Sequence, residues 1–140
     1  MDISVNYLAV VLAAVANMAL GFLWYGPLFG KSWQRMMGFT AESMKTMAMT
    51  PFAAMVGGFV GALVMAFVLA HVIVLGNAFY GTGGVSSALM GGFWSWFGFL
   101  VPVTAGSFLW EGKSAKLWVL NAGYWLVAIL LMSAILGWFA

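Results

Sequence analysis

The 140-residue chain contains no cysteine. Disulfides, thiol nucleophiles and thiolate metal sites are therefore excluded. Charge is nearly as scarce: Asp, Glu, Lys and Arg together make up 6% of the residues, against roughly 25% in soluble domains. One histidine and three acids are too few for a conventional zinc site, and no cofactor is expected. Five basic residues leave a net charge of +2, which is no nucleic-acid footprint. There is no HExxH, no GxSxG and no pair of acids within one apolar segment, so the chain is not expected to be an enzyme.

What the chain does have is apolar surface: 65% of its residues are hydrophobic. A soluble domain of this size leaves roughly a third of its chain surface in water, which this composition could not tolerate. The solvent is therefore lipid. Four long apolar segments run over approximately 7–25, 51–75, 85–109 and 117–140. Each is close to the ~20 residues that cross a ~30 Å hydrocarbon layer as a helix. Helices satisfy their own backbone in lipid, and the segments lack the polar alternation of barrel strands. The expected fold is an all-α membrane protein, a four-helix transmembrane bundle forming one domain over residues 1–140. The first segment has Asp2 and no basic n-region, and is read as a retained span rather than a signal peptide.

Charge placement predicts how the chain is threaded. Lys31, Arg35 and Lys45 lie in the first connection, and Lys113 and Lys116 in the third. The N-terminus, the 76–84 loop and the C-terminus carry no basic residue. The positive-inside rule then places both termini outside and the two basic loops in the cytoplasm. In the first loop Trp33, Met36, Met37, Met44 and Met47 interleave with Lys31, Gln34, Arg35, Glu42 and Lys45, which predicts short amphipathic helices on the interface. Thr40 and Thr50-Pro51 read as helix starts, and NAFYGTGG (77–84) as a turn-rich loop.

Lipid removes the hydrophobic drive for helix association, so small residues that permit close approach become informative. Ala54, Gly58, Ala62, Ala66 and Ala70 follow one another at four-residue spacing, widened by Gly57 and Gly61. Ala9, Ala13, Asn17 and Gly21 do the same in the first span, and Ser87, Gly91 and Ser95, flanked by Ala88 and Gly92, in the third. These faces are expected to meet inside the bundle or across a subunit boundary. Ordinary packing explains them, as would a narrow polar path in a homo-oligomer.

Polar groups within spans are costly and are the default functional candidates. Asn17 lies deep in the first span. Trp24, Tyr25, Thr104, Ser107, Trp110, Glu111, Asn121 and Tyr124 share one height at the basic end. His71, near the opposite end, is either a titrating contact or an interfacial histidine bonded to backbone. Glu111 is either a solvated interfacial acid or a partner for Lys113, Lys116, Tyr25 or Asn121. Trp94 and Trp96 point to different faces, so at most one of them looks inward. Pro102 frees a carbonyl and kinks the third span. The stretch Gly21–Arg35 (GFLWYGPLFGKSWQR) reads as a membrane exit, but its Trp24-Tyr25-Gly26-Pro27 pattern exceeds what anchoring needs and makes it the first candidate for a functional surface. Phe22-Leu23-Trp24-Tyr25-Gly26 is echoed by Phe108-Leu109-Trp110-Glu111-Gly112, as a duplicated helix hairpin or chance would give.

The segment Leu20–Lys31 with Trp33, the lone His71, Trp110-Glu111-Gly112-Lys113 and Asn121-Ala122-Gly123-Tyr124 resemble the small membrane proteins grouped as domain of unknown function 1761. The resemblance covers essentially the whole chain, and WYGPLFGK is its most specific part. It implies a compact multi-span protein of the bacterial inner membrane and brings no assigned catalytic residues. Two functions are expected to compete. One is an oligomeric channel- or transporter-like bundle for ions or small solutes. The other is a non-transporting accessory protein that holds a lipid or partner at Gly21–Arg35 and Phe108–Tyr124. Membrane lipids and further copies of the chain are the expected partners; the small-molecule or ion ligand is not readable.

Overall fold

The computed structural model describes residues 3–140. Among them there is no strand, and four helical segments are long and apolar enough to cross a membrane: Tyr7–Leu28, Pro51–Tyr80, Gly84–Leu109 and Ala115–Phe139. The chain is a four-helix transmembrane bundle. Within those segments and between them lie eight helices: α1 (Tyr7–Leu23), α2 (Gly30–Met37), α3 (Ala41–Lys45), α4 (Pro51–Tyr80), α5 (Gly84–Ser95), α6 (Val101–Thr104), α7 (Gly106–Leu109) and α8 (Ala115–Phe139).

Side-chain caps set several of the starts. Asn6 accepts from the Ala9 N–H, Thr50 from Ala53 and Ser114 from Leu117, each at 3.1–3.2 Å. Thr40 and Ser43 form a reciprocal capping box at α3. The turn-rich reading of 77–84 needs correction, because α4 continues to Tyr80 and ends only where Gly81 takes φ +65°. Asn77 is helical; its carbonyl accepts from Gly81 and Thr82, and its side chain from Ser87 at 2.7 Å.

In the bundle α1 packs on α4 and α8, α5 packs on α8 and α4, and α4 touches α8 across the diagonal. The midsection is sealed by Ala13, Ala66, Ala128 and Met132, all without exposed surface, with Leu69 and Ile129 beside them. Outward-facing Phe22, Val60, Val64, Phe99 and Val103 are exposed, as a lipid solvent requires.

The small residues divide between two roles. Ala9 and Ala13 of α1, with Ala62, Ala66 and Ala70 of α4, are buried inside the bundle. In α5 the flanking pair makes the contact, not the expected face: Ala88 and Gly92 are buried, while Ser87, Gly91 and Ser95 line an open groove of about 950 Å³ beside α4. A Cβ added to Gly61 or Gly91 would meet no neighbouring atom, so this seam is loose where the α5–α8 seam is tight.

Candidate functional site

The end of the first span explains the WYGPLFGK sequence. After α1 the chain widens into one turn, in which the Phe29 N–H donates to the Trp24 carbonyl, five residues back, at 2.8 Å. Gly26 leaves helical geometry there (φ −110°, ψ −105°), and Pro27 has no N–H to continue the ladder. The chain then passes so close to itself that a Cβ on Gly30 would lie 2.5 Å from the Tyr25 carbonyl oxygen. Only glycine permits that approach. The result is that α2 packs against α8, and Trp33 stands edge-on to Tyr25 with ring centroids 5.4 Å apart.

Opposite this turn, α8 presents Trp118, Asn121 and Trp125, spaced three and four residues apart and so on one helical face. The Tyr25 hydroxyl donates to Asn121 Oδ1 at 2.7 Å. Three residues after Asn121, the Tyr124 hydroxyl donates to Asn17 Oδ1 at 2.5 Å and lies 3.2 Å from the Asn17 carbonyl. Asn17 is only 3% exposed, so this pair has no competing water. The Trp24 indole lies over Gly123 and against Tyr124 and Phe29, with its Nε1 buried and without a partner among the described residues.

The third span contributes the remaining wall. It opens into a second widened turn over Trp96–Leu100, where the Val101 N–H reaches the Trp96 carbonyl. Trp96 Nε1 donates to the Ala122 carbonyl at 2.9 Å. Thr104 donates to the Leu100 carbonyl and accepts from Trp118 Nε1 at 3.1 Å, which fixes the Trp118 ring. Between these elements is a cavity of about 670 Å³, open on one side and lined by Tyr25, Trp33, Thr104, Ser107, Glu111, Trp118, Asn121 and Trp125. Its size falls in the range of small-molecule sites, about 300–1,000 Å³.

The structure brings together Asn17, Trp24, Tyr25, Asn121 and Tyr124, with Glu111 on the cavity wall. Pro27 is exposed at the turn it helps to form. The other candidates lie elsewhere. His71 has Nδ1 2.8 Å from the Phe67 carbonyl one turn back and its ring against Phe67, which satisfies it within its own helix. Trp94 is 59% exposed on α5, and Pro102 is exposed beyond the second widened turn. Trp110 is 88% exposed, so it shares the height of the cluster but not its interior. The echoed segments take different local structures: Trp24 enters the widened turn and is partly covered, whereas Trp110 precedes Gly112 at φ +71°. Among the described residues no ion pair holds Glu111, and no three histidine or carboxylate groups converge as a metal set.

Sequence reasoning missed Trp33, Trp118 and Trp125 as wall residues and Trp96 as the inward member of its pair. The signal for two of them was present in the spacing of Trp118, Asn121 and Trp125. Trp33 was hidden because its position depends on the chain reversal at Gly30.

At the opposite end a second cavity of about 610 Å³ is lined by Asn6, Asn77 and Thr82 among apolar neighbours. The sealed midsection separates it from the aromatic cavity.

No curated protein and no solved structure matches the chain. The family described as "Protein of unknown function (DUF1761)" matches residues 8–137, nearly the whole chain and every segment that builds the aromatic cavity. The chain therefore belongs to the DUF1761 family.

Proposed function

We propose that the chain is a non-enzymatic membrane binding protein that holds a small amphipathic molecule in the aromatic cavity at its basic end. The observation that carries this is the convergence of Tyr25, Trp33, Trp118 and Asn121 on one cavity, with three of the four side chains fixed by hydrogen bonds that do not involve a ligand. A wall held by its own scaffold loses little freedom on binding. Native mass spectrometry of the detergent-purified chain is expected to show one retained small molecule or lipid, lost when Trp118 is replaced by leucine. A bare mass under conditions that preserve annular lipids would overturn the reading.

The basic end is proposed to face the cytoplasm, because Lys31, Arg35, Lys45, Lys113 and Lys116 all lie on that end. The absence of cysteine makes this simple to test with single introduced thiols at exposed positions. Ser32→Cys and Trp110→Cys are expected to react only with cytoplasmic reagent, and Phe79→Cys only with external reagent. Labelling of positions 32 and 110 from opposite sides would contradict the four-span threading itself.

A transporter reading has one observation in its favour, the second cavity at the opposite end of the same bundle. It would require the sealed midsection to open, or a second copy packed on the loose α4–α5 seam to build a path. Solute flux into proteoliposomes above that of empty vesicles would replace the binding reading with this one.

A further inference from the structure

We infer that the occupant of the aromatic cavity is an organic cation, an amine or quaternary ammonium group carrying apolar substituents. The inference rests on the binding reading above and specifies its ligand.

The wall chemistry carries it. Tyr25, Trp33, Trp118 and Trp125 offer aromatic surface, and Glu111 is the one carboxylate on the lining. Aromatic faces carry the negative part of the ring quadrupole and attract cations within about 6 Å. A carboxylate beside them adds a formal charge of the same sign.

Two further observations separate a cation from the alternatives. All five basic residues of the chain lie in the connections at this end of the bundle, yet none lines the cavity. An anion site would be expected to recruit at least one of them, because charge-assisted donors dominate anion recognition. The indole N–H of Trp118 is already committed to Thr104, and the Tyr25 hydroxyl to Asn121. No cationic donor faces the cavity, while its π faces and the Glu111 carboxylate, which has no ion-pair partner among the described residues, do. A wholly apolar occupant would offer no partner to the Glu111 carboxylate and the Ser107 hydroxyl on the lining.

The same cation chemistry occurs in free organic ammonium ions and in the choline headgroup of phosphatidylcholine. The test distinguishes these sources. Calorimetric titration of the full chain in a nonionic detergent is expected to show saturable binding of choline. Its uncharged isostere 3,3-dimethylbutan-1-ol is expected to bind at least tenfold more weakly, and inorganic phosphate not to compete. Glu111→Gln, a substitution at an exposed position that leaves the fold in place, is expected to weaken choline at least tenfold, with unchanged helical circular dichroism. Native mass spectrometry after exposure to mixed phosphatidylcholine and phosphatidylglycerol assigns the source. Selective retention of phosphatidylcholine, lost in Glu111→Gln, identifies a lipid headgroup; choline binding without lipid retention identifies a free cation. Equal binding of choline and its uncharged isostere, or displacement by phosphate, overturns the cation inference while the binding reading stands. No binding of any of these probes, together with a bare native mass, overturns both.

Discussion

Replacing Gly92 by alanine is expected to destabilise the bundle by about 3 kcal/mol or more, at the upper end of overpacking costs. A Cβ on Gly92 would overlap the Ser133 hydroxyl and lie 3.0 Å from Ser133 Cβ and 3.1 Å from Ile129 Cγ2. Neither neighbour can retreat easily. Ser133 is fully buried, Ile129 is nearly so, and Ser133 Oγ has no hydrogen-bond partner among the described residues that could redirect it. In lipid the separated helices regain no exposed-water penalty, so close packing is the main term holding α5 to α8. A shift of a few tenths of an ångström along this seam therefore has no hydrophobic reserve behind it. Thermal unfolding in detergent, followed by size exclusion or circular dichroism, measures the loss. The compensating variant Gly92→Ala with Ser133→Gly exchanges which helix carries the small residue, and is expected to recover more than half of it. A single variant as stable as the parent would show that the two backbones do not approach as described.

Removing the Tyr124 hydroxyl is expected to cost about 1–2 kcal/mol, and removing its partner as well is expected to restore most of that. Tyr124→Phe leaves the ring that packs against Trp24 and Tyr25 and deletes only the donor to Asn17 Oδ1. The Asn17 side chain is then stranded in a site it cannot leave, since the residue is 3% exposed. Interhelical hydrogen bonds in membrane proteins often couple by only about 0.6 kcal/mol, with a maximum near 1.7, because the separated helices find other partners. The Asn17–Tyr124 pair belongs near the upper value, since Asn17 is covered by protein rather than facing lipid headgroups or water. In Asn17→Leu with Tyr124→Phe neither polar group remains, and most of the stability lost in the single variant is expected to return. The four-cornered cycle isolates the coupling. A coupling near zero would mean that the bond shown in the bundle contributes nothing to holding α1 on α8.

Much of this architecture is legible in the sequence. Hydropathy located the four spans because lipid tolerates only self-satisfied backbone, and Thr50-Pro51 marked the start of α4 to the residue. Height in the membrane was also readable, since an apolar helix advances about 1.5 Å per residue. Azimuth was not. Trp24 and Trp110 occupy similar heights, yet one is packed on Tyr124 and the other stands clear. The face of each residue depends on helix rotation, and two widened turns alter that rotation at Trp24–Leu28 and Trp96–Leu100. The pairing of Tyr25 with Asn121 joins residues 96 positions apart, and no local pattern announces it. The extension of α4 through Asn77 was misread because Asn and Gly tempt a turn assignment, whereas the helix persists until the chain reaches a left-handed glycine at position 81.

The sealed midsection has an electrical consequence. An ion pressed between Ala13, Ala66, Ala128 and Met132 would exchange its hydration shell for methyl and thioether groups. The idealised cost of that exchange is of order 20 kcal/mol. The full voltage across a bilayer does only about 2.3 kcal/mol of work per charge per 100 mV. Voltage alone therefore cannot drive an ion through this arrangement of the four helices, and any passage requires the midsection to part first.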